Sequence, residues 1–184
     1  MDIEKLIQGI SITYPLMYSH FLQTGCVAKT PRTVSLETSS VCQLACKMCD
    51  RENIKRETRF MSDEIFKAAI NHIAPFRVKL NFNGFGEPLL DSKLADRIAY
   101  ANNRGIGEIG LVTNGLLLTP QLSGELIKAG IRRIAVSLDG ADQRSHESVH
   151  SGGDYEKVVS NIEGLIRVKK ELRVGSPDIL LRVT

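Results

Sequence analysis

Between Ser39 and Glu52 the chain reads SSVCQLACKMCDRE, so that Cys42, Cys46 and Cys49, three of its four cysteines, stand at the spacing C-x3-C-x2-C. A disulfide framework takes an even number of thiols and a structural zinc site takes four ligands. The spacing also differs from the four-cysteine runs of electron-carrying ferredoxins and from the paired C-x2-C hooks of zinc ribbons. Three thiolates suit three corners of a cubic [4Fe–4S] cluster and leave the fourth iron open to a substrate or cofactor. Zinc completed by a distant histidine, His72 or His146, is the alternative. Cys26 lies far from this loop and reads as a small buried hydrophobe.

Three further polar clusters could do chemistry: NGFGEPLL from Asn83 to Leu90, TNG from Thr113 to Gly115 and SLDG from Ser137 to Gly140. A fourth, HESVH from His146 to His150, satisfies H-E-x-x-H, which binds zinc when both histidines share one face of a stable helix. Here the segment is caught between DGADQRS and SGG, and no third ligand follows it. It reads instead as a polar loop or single turn. Arg167, Lys169 and Lys170 read as a solvated helix face.

The elements that must position these clusters alternate regularly. Residues 2–23 are expected to be helical, with an irregular patch from Thr13 to Pro15. TVSLETS, from Thr33 to Ser39, alternates as a strand does. Ser62 opens a helix as its cap, with Asp63 and Glu64 in the first turn, and Pro75 ends it. RVKLNFNG (Arg77 to Gly84) is the second strand, and Asp91 to Arg104 a helix stopped by Gly105. EIGLVTNG is the third strand, Pro120 to Ala129 a helix stopped by Gly130, and RRIAVSLDG the fourth strand. Asp154 to Arg173 forms a long amphipathic helix, and DILLRVT opens a fifth strand. Strands separated by single helices imply an α/β fold with a parallel sheet. The cysteine loop, NGFGEPLL, TNG and SLDG then follow successive strands, so all four gather at the carboxyl edge, where such sheets place their active sites.

Composition narrows the field. The chain has 184 residues, 42% hydrophobic and 24% charged, which fits one folded domain. Its net charge of +3 comes from interspersed residues, so nucleic acid is not indicated as a partner. Residues 1–30 sustain no apolar run, and no segment reaches the roughly 18 apolar residues of a membrane helix. A cytoplasmic location without a membrane partner is expected, and in a reducing compartment clustered cysteines bind metal or do redox chemistry.

Taken in order, C-x3-C-x2-C, G-x-G-E-P, T-N-G and S-L-D-G resemble the radical S-adenosylmethionine (radical SAM) superfamily. The resemblance runs from about Thr33 to the end. It points to the branch containing molybdenum-cofactor biosynthesis protein A and the peptide-maturing enzymes with an auxiliary-cluster (SPASM-type) domain. It implies a partial TIM-type barrel of parallel (βα)n units, a [4Fe–4S] cluster on Cys42, Cys46 and Cys49, and S-adenosylmethionine on the open iron. It implies reductive cleavage of that cofactor to a 5′-deoxyadenosyl radical that abstracts hydrogen from a substrate, a small molecule or a peptide. The reductant would be a protein such as flavodoxin or ferredoxin. Met48 stands where the family has an aromatic residue beside adenine, and its thioether can pack there instead. Gly84, Gly86 and Glu87 match the motif that receives the methionine ammonium, with Phe85 in place of a glycine. Thr113, Asn114, Ser137 and Asp139 offer partners for the ribose and the methionine carboxylate.

The resemblance also divides the chain into an N-terminal helical extension, 1–32, and a radical SAM core, 33–184, of four βα units and a fifth strand. A six-unit partial barrel needs more, so a core incomplete at the C-terminus is expected. The alternative function is a non-catalytic Fe–S binding module or an inactive truncated fragment.

Overall fold

The computed structural model describes residues 10–12 and 31–183. One sheet of six strands runs through it in sequence order: β1 (Ile10–Ile12), β2 (Thr33–Leu36), β3 (Lys79–Phe82), β4 (Glu108–Thr113), β5 (Arg133–Ser137) and β6 (Asp178–Arg182). From β2 to β6 every pairing is parallel. The connecting helices are α1 (Asp63–Ile73), α2 (Leu94–Asn103), α3 (Pro120–Ala129), α4 (Gln143–Val149) and α5 (Tyr155–Glu171).

Strand alternation sorts the side chains. Val34, Leu36, Leu80, Phe82, Ile109, Leu111, Ile134 and Val136 are buried in one continuous core with residues from the helices. Phe82 is fully buried, its ring stacked 6.4 Å from that of Phe66 on α1, and Tyr100 on α2 meets Phe66 edge-on at 6.0 Å. The residues between them in sequence are small or polar. Register places Ser35, Asn81, Gly110 and Arg133 in one row across β2 to β5, and Arg133 reaches over Gly110 to donate to Asn81 Oδ1 at 3.3 Å.

Local signals set the helix ends. The Ser62 hydroxyl accepts from Ile65 N at 3.3 Å and Thr119 from Leu122 N at 3.2 Å, each satisfying an N–H that the first turn leaves open. Gly130 takes the left-handed conformation, φ +97°, that ends α3.

Two expectations are corrected. Ile10–Ile12, placed inside a helix over residues 2–23, is a strand antiparallel to β2, with Ile10 opposite Leu36 and Ile12 opposite Val34. That piece of the N-terminal extension therefore belongs to the sheet; the rest of the expected helix, and Cys26, lie outside the described residues. The segment around His146, expected as a polar loop or single turn, is helix α4. Its cap, Asp142, accepts from Ser145 N at 2.8 Å while the Ser145 hydroxyl accepts from Asp142 N, a capping box that nucleates even a seven-residue helix. No helix among the described residues is long and apolar enough to cross a membrane.

Phe82 carries the contact between sheet and α1, so Phe82→Ala is expected to destabilise the fold by about 3–5 kcal/mol. Urea unfolding monitored by circular dichroism measures this, and a loss below 1 kcal/mol, on the order of a surface change, contradicts it.

Candidate functional site

Parallel register brings the four polar clusters to one edge, as the alternation of elements requires. The cysteine loop leaves β2, Asn83–Leu90 leaves β3, Thr113–Gly115 ends β4 and Ser137–Gly140 ends β5.

Backbone bonds brace the cysteine loop on both sides. Glu87 N donates to Val41 O at 2.8 Å, just before Cys42. On the other side Ala45 N donates to Ser151 O and Lys47 N to Val149 O, both at 3.0 Å, so the chain leaving α4 runs alongside Cys46. Leu44 is buried between, and Arg51 Nη2 donates to its carbonyl at 3.0 Å. Gly86 is required here. A Cβ at that position would meet the carbonyl oxygen of Ser39, which is backbone and cannot swing aside.

Glu87, matched in sequence to the motif that receives the methionine ammonium, is buried. Its carboxylate is 3% exposed and accepts from Thr113 Oγ1 at 2.7 Å, Asn114 N at 2.9 Å and Leu89 N at 3.0 Å. Burial pushes its pKa up from 4.5, the larger effect, while these three donors pull it back. Thr113 is committed in turn, because its hydroxyl also accepts from Gly115 N at 3.0 Å. Asn114 lies over the cysteine loop. Its Oδ1 accepts from Gln43 Nε2 at 3.3 Å, and its Nδ2 stands 4.0 Å from Cys42 Sγ.

Asp139 is buried as well and meets a histidine. Its Oδ2 lies 2.6 Å from His150 Nε2, and the other ring nitrogen, Nδ1, faces Cys46 Sγ at 3.1 Å. His146, at 2% exposure, stacks on His150 with ring centroids 4.5 Å apart, and burial lowers its pKa. Glu147, the acid of H-E-x-x-H, faces elsewhere, accepting from Tyr155 N and Gln143 Nε2. These contacts make the histidines part of the cysteine site, which the motif alone did not suggest. A cysteine, a histidine and an aspartate in line have the outline of a thiol nucleophile. Burial instead pushes the Cys46 thiol up to about 11, opposite to an activated thiolate. Glu37 and Arg56 also went unnoticed in sequence. Glu37 Oε1 accepts from Phe85 N at 2.7 Å and Gly86 N at 3.0 Å, and Arg56 pairs with it at 2.6 Å.

The donor set fits an iron–sulfur cluster. Cys42, Cys46 and Cys49 are half-buried, on one loop and free of disulfides. Among the described residues no three His, Cys, Asp or Glu side chains are near enough to share one metal ion. A cubane, whose thiolates sit on separate irons, holds them farther apart than a single ion does. Met48 and Phe85 stand exposed on the same rim, and Ser137 is half-exposed at the end of β5. A separate cleft of about 420 Å³, between the starts of α1 and α2, is lined by Phe60, Asp63, Asp91 and Arg97 among others and contains none of the expected site residues. Its charges pair with one another, Arg97 with Asp91 at 2.8 Å and Lys93 with Asp63 at 2.7 Å.

The sequence profile of the radical SAM superfamily matches residues 36–176. The chain is 35% identical over 139 residues to a probable GTP 3′,8-cyclase of Methanococcus maripaludis, covering 74% of this chain and 46% of that protein. It is 28% identical over 135 residues to the mycofactocin maturase MftC of Mycolicibacterium smegmatis, covering 73% of this chain and 34% of the relative. In fold it is similar to SuiB of Streptococcus suis bound to S-adenosylmethionine, with a TM-score of 0.66 at 15% identity over 92% of this chain and 37% of that one. The chain thus spans less than half the length of each.

Glu87→Gln is expected to leave one buried donor facing an amide N–H, at a cost of about 1–3 kcal/mol at neutral pH. The wild-type carboxyl, with its raised folded-state pKa, binds its proton more tightly folded than unfolded. Its contribution to stability therefore falls as pH rises from 4.5 upward through the raised value, and the Gln variant should lack that slope. Urea unfolding at a series of pH values tests both. A variant as stable as the parent, with the parent's pH dependence, contradicts the assignment.

Proposed function

The chain belongs to the radical SAM superfamily, and on that premise we propose that it is an enzyme core that holds a [4Fe–4S] cluster on Cys42, Cys46 and Cys49 and binds S-adenosylmethionine at the iron left open. When bound, the two together supply one-electron reductive cleavage to methionine and a 5′-deoxyadenosyl radical for hydrogen abstraction from a substrate. The observation that carries this reading is the loop of three unpaired thiols at the carboxyl edge of a parallel sheet, braced on both sides by backbone bonds.

The protein's own groups divide the work. The N–H groups of Phe85 and Gly86 are committed to Glu37, which leaves the carbonyls of the Gly84–Gly86 turn as acceptors for the methionine ammonium. Glu87 and Thr113 hold that turn against β4 without touching the cofactor themselves. Exposed Met48 packs against the adenine, and a polarizable thioether suits that aromatic face. Ser137 and the Asn114 amide are the polar groups left for the ribose and the methionine carboxylate. Asp139 acts through His150 instead. A low-potential protein reductant such as flavodoxin or ferredoxin supplies the electron, and the cytoplasm is the compartment that suits it.

Anaerobic reconstitution with iron and sulfide is expected to load about four irons per chain. Cys42→Ala, Cys46→Ala and Cys49→Ala combined should abolish loading. Adding S-adenosylmethionine should change the electron paramagnetic resonance spectrum of the reduced cluster, and dithionite should then release 5′-deoxyadenosine. Full loading by the triple variant would sink the ligand assignment. A loaded chain blind to S-adenosylmethionine supports the non-catalytic Fe–S module in place of the enzyme.

A further inference from the structure

Backbone pairing sets Cys46 directly across from His150. Ala45 N bonds Ser151 O and Lys47 N bonds Val149 O, so the residues between, Cys46 and His150, are held opposite one another by bonds on either side. The ring has little freedom to leave. His150 is 4% exposed and Asp139 5%, so water does not compete for either. His146 stacks on one ring face at a 27° interplanar angle, and Asp139 Oδ2 holds Nε2 at 2.6 Å. His150 N bonds His146 O at 2.9 Å and Gly153 N bonds His150 O at 2.8 Å. A Cβ on Gly153 would stand 2.8 Å from that carbonyl oxygen and 3.2 Å from the His150 Cβ, so the glycine lets the chain fold back tightly beside the ring.

The remaining nitrogen, Nδ1, points at Cys46 Sγ from 3.1 Å. A cysteine sulfur bonded to iron carries no proton, so a hydrogen bond across this contact requires Nδ1–H as the donor, and the Nε2–Asp139 contact holds a second proton on one of its two atoms. We propose that His150, oriented by Asp139, is a positioning residue that donates from Nδ1 to the iron-bound sulfur of Cys46 and thereby raises the reduction potential of the cluster. The inference rests on the cluster assignment made above. A donor to a thiolate ligand stabilises the reduced state, in which the sulfurs carry more negative charge, over the oxidised one. The same bond fixes the side-chain direction of one ligand out of three, as outer partners commonly do in metal sites.

The test compares reconstituted wild-type protein with His150→Phe, which keeps a ring to stack on His146 but has no donor, and with His150→Asn, whose amide N–H replaces Nδ1–H. In a spectroelectrochemical titration His150→Phe should lower the reduced-to-oxidised ratio at a given potential about tenfold, a downward shift of about 59 mV for one electron. His150→Asn should restore the wild-type potential. Pulsed electron paramagnetic resonance on the reduced wild type, grown with isotopically labelled histidine, should show coupling to a histidine nitrogen and to an exchangeable proton. Iron content is measured on every sample, so that a wild type that takes up no iron refutes the cluster assignment itself. A loaded wild type lacking the nitrogen coupling, or a loaded His150→Phe with unchanged potential, overturns the hydrogen bond alone. Should His150→Phe fail to fold or load, the wild-type coupling decides: its presence supports the proposal and its absence overturns it.

Discussion

The carboxylate of Glu87, buried where three loops meet, draws its hydrogen bonds from Thr113 and Asn114 at the end of β4 and from Leu89 in its own turn, while its backbone N–H goes to Val41 at the start of the cysteine loop. A charge taken out of water must recover its hydration from protein donors, so the three donors cannot be moved independently of it. The loops after β2, β3 and β4 are thereby locked to one another, and the cysteines inherit their place from that lock. A residue whose motif resembles a ligand contact is in this structure a buried tie between loops.

A second brace comes from the chain that follows β5. The short helix α4 and its exit bring His146, His150 and the carbonyls of Val149 and Ser151 against the loop carrying Cys46. Burying two imidazoles and the Asp139 carboxylate is costly unless their polar atoms find partners. His150 finds both of its partners here, Asp139 and the Cys46 sulfur, whereas His146 Nδ1 is buried without one. Together the two braces hold a loop that has no regular secondary structure between Leu36 and a 3-10 turn at Asp50–Asn53. Loops suit reactive groups because a rigid scaffold can aim them, and here the aim comes from neighbouring loops as much as from the strands.

Glycine and serine near this edge gain their meaning from close approach. Gly86 admits the Ser39 carbonyl, and Gly84 admits the Glu37 side chain, whose carboxylate fills the nest of N–H groups at Phe85 and Gly86. An internal anion thus already occupies that nest of N–H groups.

What the sequence determined by itself was local. The C-x3-C-x2-C spacing, the cap at Ser62, the stop at Gly130 and the alternation in TVSL, KLNF and RIAVS each depend on neighbours within a few residues, and each appears in the structure where the residues imply it. Order of elements then carried the four polar clusters to one edge, because parallel strands all point their ends the same way. Tertiary structure alone decided which of those polar residues face inward. Glu87, Thr113 and Asp139 share the composition of ligand contacts but spend their hydrogen bonds on the protein. Cys46 and His150 meet although 104 residues separate them. The strand at Ile10–Ile12 is completed by its antiparallel pairing with β2, a partner distant in sequence. Periodicity reports the face that a residue presents to its own element; the partner waiting there is set by burial and by the packing of distant segments, where the cost of an unsatisfied polar group selects one arrangement.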